Sequence, residues 1–300
     1  MKTVTADRSS DIDALRVGFI GAGRLGTALA WSLARRGCAV VAVASRSGPA
    51  AEQLAAPISS CSVVTVQQVA DACDLVFVTT PDDAIASTVE SARWRAGGGV
   101  VHCSGATEIA ALDKAGRDGA LTGGFHPLQT FGDPEAAVLS LPGCTITIEA
   151  AEALNTILVA LAERLECRVN RLPPGARGAY HAAAGYGSQF INVLLREAAV
   201  IWQSWGALEA EAVRALVPMM RGTLASIERS GVAQAMPGPV SRGDVGSVVK
   251  HVAALDALSP EMLDLYRQLC GRTIALAVER GSIDAATAAA LRHVLDRSPQ

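Results

Sequence analysis

The first half of the chain alternates short apolar, β-branched runs with stretches of helical periodicity. The runs are LRVGFI, AVVAVAS, DLVFVTT, GGVVHCSG and TITIEA, and the helical stretch GRLGTALAWSLARR separates the first two. Such alternation is typical of a parallel sheet with helices on both faces. We therefore predict a polar tail over residues 1–14 and a doubly wound, mostly parallel α/β domain of the Rossmann type over residues 15–173.

The second half carries only helical patterns. They run over about 176–206, 208–230, 244–257, 260–280 and 283–296, with no further strand signal. The pair Pro173–Pro174, followed by Gly175, marks the boundary, because a proline pushes the residue before it towards extended geometry. The pattern predicts an all-α domain over residues 174–300.

Composition narrows the class of partner. The 300 residues carry a formal charge of −3 without a long run of like charges, which argues against nucleic acid or an anionic membrane surface. The polar start and the lack of an apolar run of about 18 residues predict a cytoplasmic protein. Seven cysteines without a C-x-x-C pair predict no metal site. A small-molecule partner is expected.

A glycine-rich turn follows the first predicted strand and opens a helix. In GFIGAGRLGTALAW, Gly21, Gly23 and Gly26 form a G-x-G-x-x-G, with Arg24 and Leu25 between the last two glycines. This G-x-G-x-x-G context is typical of a dinucleotide site, in which the glycines allow a tight turn, close approach of a pyrophosphate and helix–strand packing. The free amides at the helix N-terminus would bind the phosphates.

The end of the second predicted strand indicates which dinucleotide binds. Enzymes that use NAD place an acidic residue there, whereas this chain has Ser45, Arg46 and Ser47. A guanidinium and two hydroxyls favour the 2′-phosphate of NADP(H), although a solvated loop arginine is the alternative. Two later strand ends should line the same crevice beside the nicotinamide half, and they supply Thr79, Thr80, Pro81, Ser104 and Gly105.

Polar residues interrupt the apolar stretch HAAAGYGSQFIN. On one continuous helix, His181, Gly185, Ser188 and Asn192 fall within about 60° of one another. We expect this stripe to face the nicotinamide and substrate, with Ser188 and Asn192 as substrate contacts. The alternative is that neighbouring backbone satisfies each polar group.

Hydride transfer to a carbonyl or imine needs a proton donor, and histidine suits this near neutral pH. We rank His181 first and His126, which we place just after a strand end in GGFHPLQTF, second; His251 is a further candidate. A turn histidine bonded to backbone is the alternative for His126. Tyr180 is either a second donor or a packing residue.

The segment PGPVSRGDVGSVVKH joins a loop to a helix start. Arg242 could bind a substrate carboxylate or pair with Asp244. Asp244 is also a natural helix N-cap. We include both residues among the candidate substrate contacts.

Six segments in this order, GAGRLGTALA, TTPDDAI, HCSGA, GGFHPLQTF, YHAAAGYGSQF and PGPVSRGDVGSVVKH, resemble Rossmann-like proteins with a C-terminal domain of unknown function 2520. The resemblance covers about residues 15–295. It implies an NADP-dependent oxidoreductase related to β-hydroxyacid dehydrogenases, ketopantoate reductases and pyrroline carboxylate reductases. It also implies a homodimer formed through the helical domain.

The chain departs from its relatives at the long helix. The family's usual Ser-Asn pair is replaced by Ser188 and Gln189. A lysine and two asparagines of the ketopantoate reductases fall on His181, Gly185 and Gln189, so the catalytic lysine is missing and His181 could replace it. The segment GGFHPLQTF resembles the GxHPxxG segment of prephenate dehydrogenases, which keeps an oxidative reaction as an alternative.

The sequence therefore predicts an NADPH-dependent oxidoreductase that transfers a hydride to a small 2-oxo acid, with ketopantoate first, or to a cyclic imine. The predicted catalytic residues are His181, His126 and Gln189. A prephenate-dehydrogenase-like oxidation and a non-catalytic NADPH-binding redox sensor are the alternatives. A sensor would need no proton donor beside the nicotinamide.

Overall fold

The computed structural model describes residues 10–296, so residues 1–9 of the predicted tail lie outside the described residues. One sheet dominates the first half of the chain. Its strands are β1 (Arg16–Ile20), β2 (Ala39–Ala44), β3 (Ser62–Val63), β4 (Leu75–Val78), β5 (Gly99–His102), β6 (Leu121–Leu128), β7 (Thr145–Ala150) and β8 (Arg168–Arg171). Their order across the sheet is β3-β2-β1-β4-β5-β6-β7-β8.

Strand direction confirms the predicted doubly wound fold. All neighbours from β3 to β6 pair in parallel, β6 and β7 pair antiparallel, and β7 and β8 pair in parallel. The strand order reverses between β1 and β4. Ligands of such sheets bind at this switch point, beyond the carboxyl ends of the strands.

Helices cover both faces of this sheet. They are α1 (Ser10–Asp13), α2 (Arg24–Arg35), α3 (Gly48–Ala55), α4 (Val66–Ala72), α5 (Ile85–Glu90), α6 (Asp113–Arg117), α7 (Pro134–Ser140), α8 (Glu152–Arg164) and α9 (Arg177–Tyr186). Successive strand residues point to opposite faces, so Phe19 and Phe77 stack in one core at 5.2 Å while Ile20 and Val78 enter the other. Burial on both faces explains the continuous apolar runs in the sequence.

Strand β6 differs from the prediction. Its sequence LTGGFHPL contains two glycines and a proline, which are depleted in strands. The sheet accommodates Pro127 because β5 pairs only with residues 121–124, so the second half of β6 has β7 as its ladder partner. His126 consequently lies within a strand, and its predicted position after a strand end is wrong.

A buried ion pair attaches α9 to the sheet. Arg177 has no exposed side-chain surface; its Nε donates to Glu149 Oε2 at 2.7 Å, and its Nη1 donates to the Ser104 carbonyl at 2.8 Å. The guanidinium lies against Gly124, where a Cβ atom would collide with Nη2. The start of α9 is therefore anchored to the middle of β6 and to the carboxyl ends of β5 and β7.

A second compact unit follows Ser188. Its helices are α10 (Gln189–Gln203), α11 (Glu209–Ser230), α12 (Val245–Asp256), α13 (Pro260–Glu279) and α14 (Ala285–Asp296), which confirms the predicted all-α character. Val248, Ile274 and Leu291 are fully buried in its core. Among the described residues, none of the helices has the length and hydropathy that crossing a bilayer requires.

The predicted single helix over 176–206 is wrong, because a turn at residues 187–188 separates α9 from α10. The compact units also divide after Ser188, so α9 lies with the sheet. The domain limits 15–173 and 174–300 stay a prediction.

We expect Gly124→Ala to destabilise the protein by about 3 kcal/mol, because the new methyl group would displace a buried guanidinium from its partners. Urea unfolding followed by circular dichroism measures the loss. Gly132→Ala is the control, since no atom lies within 4 Å of the corresponding Cβ position. Equal unfolding midpoints for the two variants would contradict the role assigned to Gly124.

Candidate active site

A cleft of about 760 Å³ opens at the carboxyl ends of β1, β2 and β4. Eight of the predicted cofactor residues line it: Gly21, Gly23, Ser45, Arg46, Ser47, Thr79, Thr80 and Pro81. The structure thus brings together three separate strand ends that the sequence places far apart. The cleft lies at the topological switch point of the sheet.

The three glycines of the first turn play different parts. Gly21 has φ +112°, and a Cβ there would lie 2.6 Å from the Thr79 carbonyl carbon. A Cβ at Gly26 would lie 2.6 Å from the Gly21 carbonyl oxygen, to which Thr79 Oγ1 donates at 2.7 Å. These two glycines therefore allow the turn, α2 and β4 to pack closely, while Thr79 braces the turn.

Gly23 faces open space, since no atom lies within 4 Å of its Cβ position. It is the N-cap of α2, where no side chain caps the helix and the first turn carries no acidic residue. Its backbone is thus free to approach an anion, and the unsatisfied amides of the first turn favour one.

Charge in the cleft comes from one side chain. Arg46 is the only charged residue among those that line the cleft, and no carboxylate lines it. Across residues 10–296, the exposed Arg46 guanidinium makes no hydrogen bond or ion pair. Ser47 Oγ caps α3 by accepting from the Ala50 amide at 3.3 Å, and Ser45 Oγ accepts from the Ser47 amide at 3.3 Å. The Arg46 guanidinium is therefore available to an anionic ligand.

One buried polar atom in the cleft is also unsatisfied. The Thr80 hydroxyl oxygen is shielded from solvent and has no hydrogen-bond partner in the described part of the chain. Most buried hydroxyls have a partner, so an orphaned one that lines a cleft indicates a ligand contact.

Other predicted cofactor residues lie outside the lining. Arg24 donates to the Gly132 carbonyl at 3.5 Å, and Leu25 packs against the apolar core. Ser104 organises its own loop, donating to the Asp82 carboxylate at 2.7 Å and accepting from the Thr107 amide at 2.9 Å.

Sequence reasoning missed four hydroxyl residues that line the cleft, namely Thr65, Ser87, Thr88 and Ser91. Thr65 forms a capping box with Gln68 at the start of α4, a pattern that could have been found. The other three carry no motif.

Two of the predicted catalytic residues meet at Gly105. The Cβ position of Gly105 lies 3.0 Å from His126 Nε2 and 2.9 Å from His181 Cδ2. The absence of a side chain at Gly105 leaves room between these rings. On its far side, His126 Nδ1 is hydrogen-bonded to the Tyr180 hydroxyl at 2.6 Å.

A second cavity of about 470 Å³ lies beside these rings, between β6 and α9. Its lining includes His126, Tyr180, His181, Gln129, Thr130 and Ser188, and none of its lining residues is Lys, Arg, Asp or Glu. His181 is an exposed side chain, which departs from the expectation of a buried helix.

Burial lowers the pKa of His126 to about 4, and the neighbouring charges of His181 and Arg177 act in the same direction. The Asp82 carboxylate opposes them by raising this pKa. His126 is therefore a neutral imidazole near pH 7, with one ring nitrogen donating and the other accepting.

The predicted polar stripe is interrupted, because α9 ends at Tyr186. Ser188 lies in the turn, where its hydroxyl donates to the Ala184 carbonyl at 2.7 Å, as the backbone alternative anticipated. Gln189 and Asn192 begin α10 as exposed residues of the second unit.

Asp244 caps α12 by accepting from the Ser247 amide at 3.0 Å, and its pKa is lowered by the hydrogen bond from the Ser247 hydroxyl. Arg242 is exposed at the end of a short 3₁₀ segment. His251 is bonded through Nδ1 to the Tyr266 hydroxyl at 2.8 Å. These contacts give Asp244 a structural role and leave the substrate roles of Asp244 and Arg242 as predictions.

Comparison with family models bears out the resemblance. Residues 3–127 match the Rossmann-like domain, and residues 144–273 match the domain of unknown function DUF2520. The two matches together span most of the chain, in the order that the resemblance implies. A search of curated proteins finds no significant match.

Several solved structures are similar in fold to this chain over most of its length. A provisionally named NADP oxidoreductase of Bacteroides fragilis is 26% identical with a TM-score of 0.69, covering 88% of this chain and 99% of that chain. Protein TM1727 of Thermotoga maritima is 23% identical with a TM-score of 0.73 and the same two coverages. A reductive aminase of Aspergillus terreus, in complex with NADPH, is 18% identical with a TM-score of 0.63, covering 91% and 98%.

The neutral state of His126 predicts a pH dependence of stability. Its pKa is about 4 in the folded protein and 6.5 in a free histidine, so the unfolded chain binds more protons between these values. We expect stability to fall as the pH drops from about 6.5 to 4, and to fall less in His126→Gln.

Urea unfolding midpoints at pH 7 and pH 5 measure this difference. His293→Gln, a change at an exposed histidine of α14, serves as the control and should keep the wild-type dependence. The assignment fails if His126→Gln loses as much stability as the wild type over this range.

Proposed function

We propose that the protein is an NADP-dependent oxidoreductase that reduces a carbonyl or imine carbon of a small molecule. The observation that carries this proposal is a nucleotide-sized cleft at the switch point of the sheet, with Arg46 as its single charged lining residue. The provisional name of the Bacteroides fragilis relative supports the same cofactor and reaction class.

The residues present fit NADP(H) in three respects. The open backbone at Gly23 and the start of α2 would hold the pyrophosphate, and the unpaired Arg46 guanidinium would hold the 2′-phosphate. The orphaned hydroxyl of Thr80 would gain a partner. When bound, the reduced cofactor supplies the hydride.

The protein must supply the proton that accompanies this hydride. As the substrate carbon gains hydrogen, electron density moves to its oxygen or nitrogen, which then takes up a proton. We assign proton donation to His181, which is exposed to solvent and can be reprotonated after each turnover. His126, which is neutral, would donate a hydrogen bond to the same atom across Gly105.

The lining of the second cavity bears on the substrate class. A 2-oxo acid such as ketopantoate carries a carboxylate, and no Lys or Arg lines this cavity to bind it. We therefore place cyclic imines and ketones ahead of 2-oxo acids. The likeness to a reductive aminase agrees with this order.

A substrate panel tests the function. NADPH absorbance is followed with cyclic imines, ketones with and without amines, and 2-oxo acids, and NADP⁺ reduction is followed with hydroxy acids and prephenate. Oxidation of NADPH by an imine or ketone supports the proposal. Tight NADPH binding without turnover across the panel would favour the redox sensor, and activity only with prephenate would favour the oxidative alternative.

The proposal includes a homodimer formed through the helical unit. Five large apolar side chains on α10 and α11 are at least two-fifths exposed, namely Phe190, Val193, Leu194, Met219 and Leu224. Apolar surface of this kind is typical of protein–protein contacts.

We expect Arg46→Ala to weaken NADPH binding by about 10- to 100-fold and to leave NADH binding nearly unchanged, because only NADPH carries a phosphate for the guanidinium. Fluorescence titration gives both dissociation constants. Arg168→Ala, at an exposed arginine of β8, is the matched control. An unaltered preference between the cofactors in Arg46→Ala would contradict the assignment.

We expect His181→Ala to lower kcat by about 10² or more, the usual scale for loss of a general acid, with NADPH affinity nearly unchanged. Stopped-flow absorbance and cofactor titration measure these quantities. His293→Ala, which changes an exposed histidine in α14, is the control. Wild-type turnover in His181→Ala would end the proposed role.

A further inference from the structure

Three polar residues form a row across the last strands of the sheet. The pairing register sets His126 of β6 opposite Thr147 of β7, and Thr147 opposite Asn170 of β8. Residues opposite one another share a face of the sheet. Asn170 Nδ2 donates to Thr147 Oγ1 at 3.2 Å, and Tyr180 of α9 reaches His126 Nδ1 at 2.6 Å.

The donors and acceptors of this row run in one direction. Asn170 donates to the Thr147 oxygen, which leaves the Thr147 hydroxyl proton free, and this hydroxyl is close enough to Tyr180 to lower the pKa of the phenol. Burial raises the pKa of Tyr180, and a hydrogen bond from Thr147 acts against that rise. The phenol therefore keeps its proton at neutral pH and can donate it to a ring nitrogen.

The acidities of the two side chains also favour donation from the Tyr180 hydroxyl to His126. A phenol is a better acid than a neutral imidazole, and an imidazole nitrogen is a better base than a phenol oxygen. Across the 2.6 Å contact, these acidities favour donation from the Tyr180 O–H to Nδ1. The single proton of the neutral ring is then left on Nε2.

We propose that Tyr180, itself oriented by Thr147 and Asn170, fixes His126 in the neutral form that carries its proton on Nε2. Since Nε2 and Cε1 form the edge of the ring that faces Gly105, a proton on Nε2 gives the site a fixed hydrogen-bond donor there. The opposite tautomer would present a lone pair and repel developing negative charge. Tyr180, Thr147 and Asn170 are thus positioning residues.

The position of the proton on His126 does not depend on the reaction. The role of Nε2 as a hydrogen-bond donor to the substrate rests on the proposed function. His181 and Arg177 face His126 as groups that disfavour its cationic form, and Asp82 favours that form. Arg177 is itself ion-paired with Glu149.

Nitrogen-15 NMR of the full chain without cofactor, at pH 7, reads the tautomer directly. His126 signals are assigned by their loss in His126→Gln. We expect a protonated Nε2 and an unprotonated, hydrogen-bonded Nδ1, and we expect Tyr180→Phe to move the Nδ1 resonance to the value of a free acceptor.

A matched control exists in the second unit, where Tyr266 contacts His251 Nδ1 at 2.8 Å. Tyr266→Phe should move the signals of His251 and leave those of His126 in place. A protonated Nδ1 in wild-type His126, or His126 signals unchanged in Tyr180→Phe, would overturn the proposal.

Turnover tests the consequence. We expect kcat to fall about tenfold in Tyr180→Phe, the equivalent of one net hydrogen bond, and about threefold in Thr147→Val, with the NADPH dissociation constant unchanged. Thr145→Val makes the same change two residues away on the same face of β7 and should keep wild-type kcat.

The two levels of the proposal fail separately. If no compound of the substrate panel supports NADPH oxidation by the wild type, the proposed function is rejected. The NMR experiment still reports the tautomer of His126 in that case. If kcat falls in Tyr180→Phe without a change in the His126 signals, the residue acts only on packing and the tautomer proposal is overturned.

Discussion

The arrangement of the candidate active site depends on one charge held out of water. Arg177 is fully buried, and its pairing with Glu149 and with the Ser104 carbonyl offsets the cost of removing a guanidinium from solvent. Tyr180 and His181 follow it by three and four residues on α9, so they lie on the same face of the helix. The contact that anchors α9 therefore also turns both side chains towards the strand that carries His126.

Much of the cofactor half could be predicted from sequence, because its signals are local. The glycines from Gly21 to Gly26 follow an apolar strand and span the start of a helix, and Arg46 comes two residues after the next strand. In a parallel sheet the carboxyl ends of strands gather at one edge, so sequence order alone places these residues in one cleft. Thr65 was missed although its capping box with Gln68 is a sequence signal, and the three hydroxyl residues at α5 were missed because an isolated hydroxyl leaves no periodic signal.

The catalytic half could be predicted only in part, because its contacts join distant positions. The two histidines were candidates by chemistry, but their meeting at Gly105 depends on the antiparallel turn of β7 and on the anchoring of α9. Arg177 gave no signal, since an arginine near a helix start usually remains solvated. The prediction of one long apolar helix was wrong for a physical reason. The helical periodicity of apolar residues continues across residues 187–188, although the backbone turns there.

The register of the antiparallel pair β6 and β7 decides which polar side chains share a face of the sheet, in addition to how the core packs. Side chains of a strand alternate between its two faces, so a shift of one residue would send Thr147 to the opposite face from His126. Insertions or deletions in the segment between these strands must therefore keep Thr147 on the same face of the sheet as His126, in addition to keeping the apolar side chains buried. Related sequences that vary this segment in length should do so without changing which residue of β7 stands opposite the histidine.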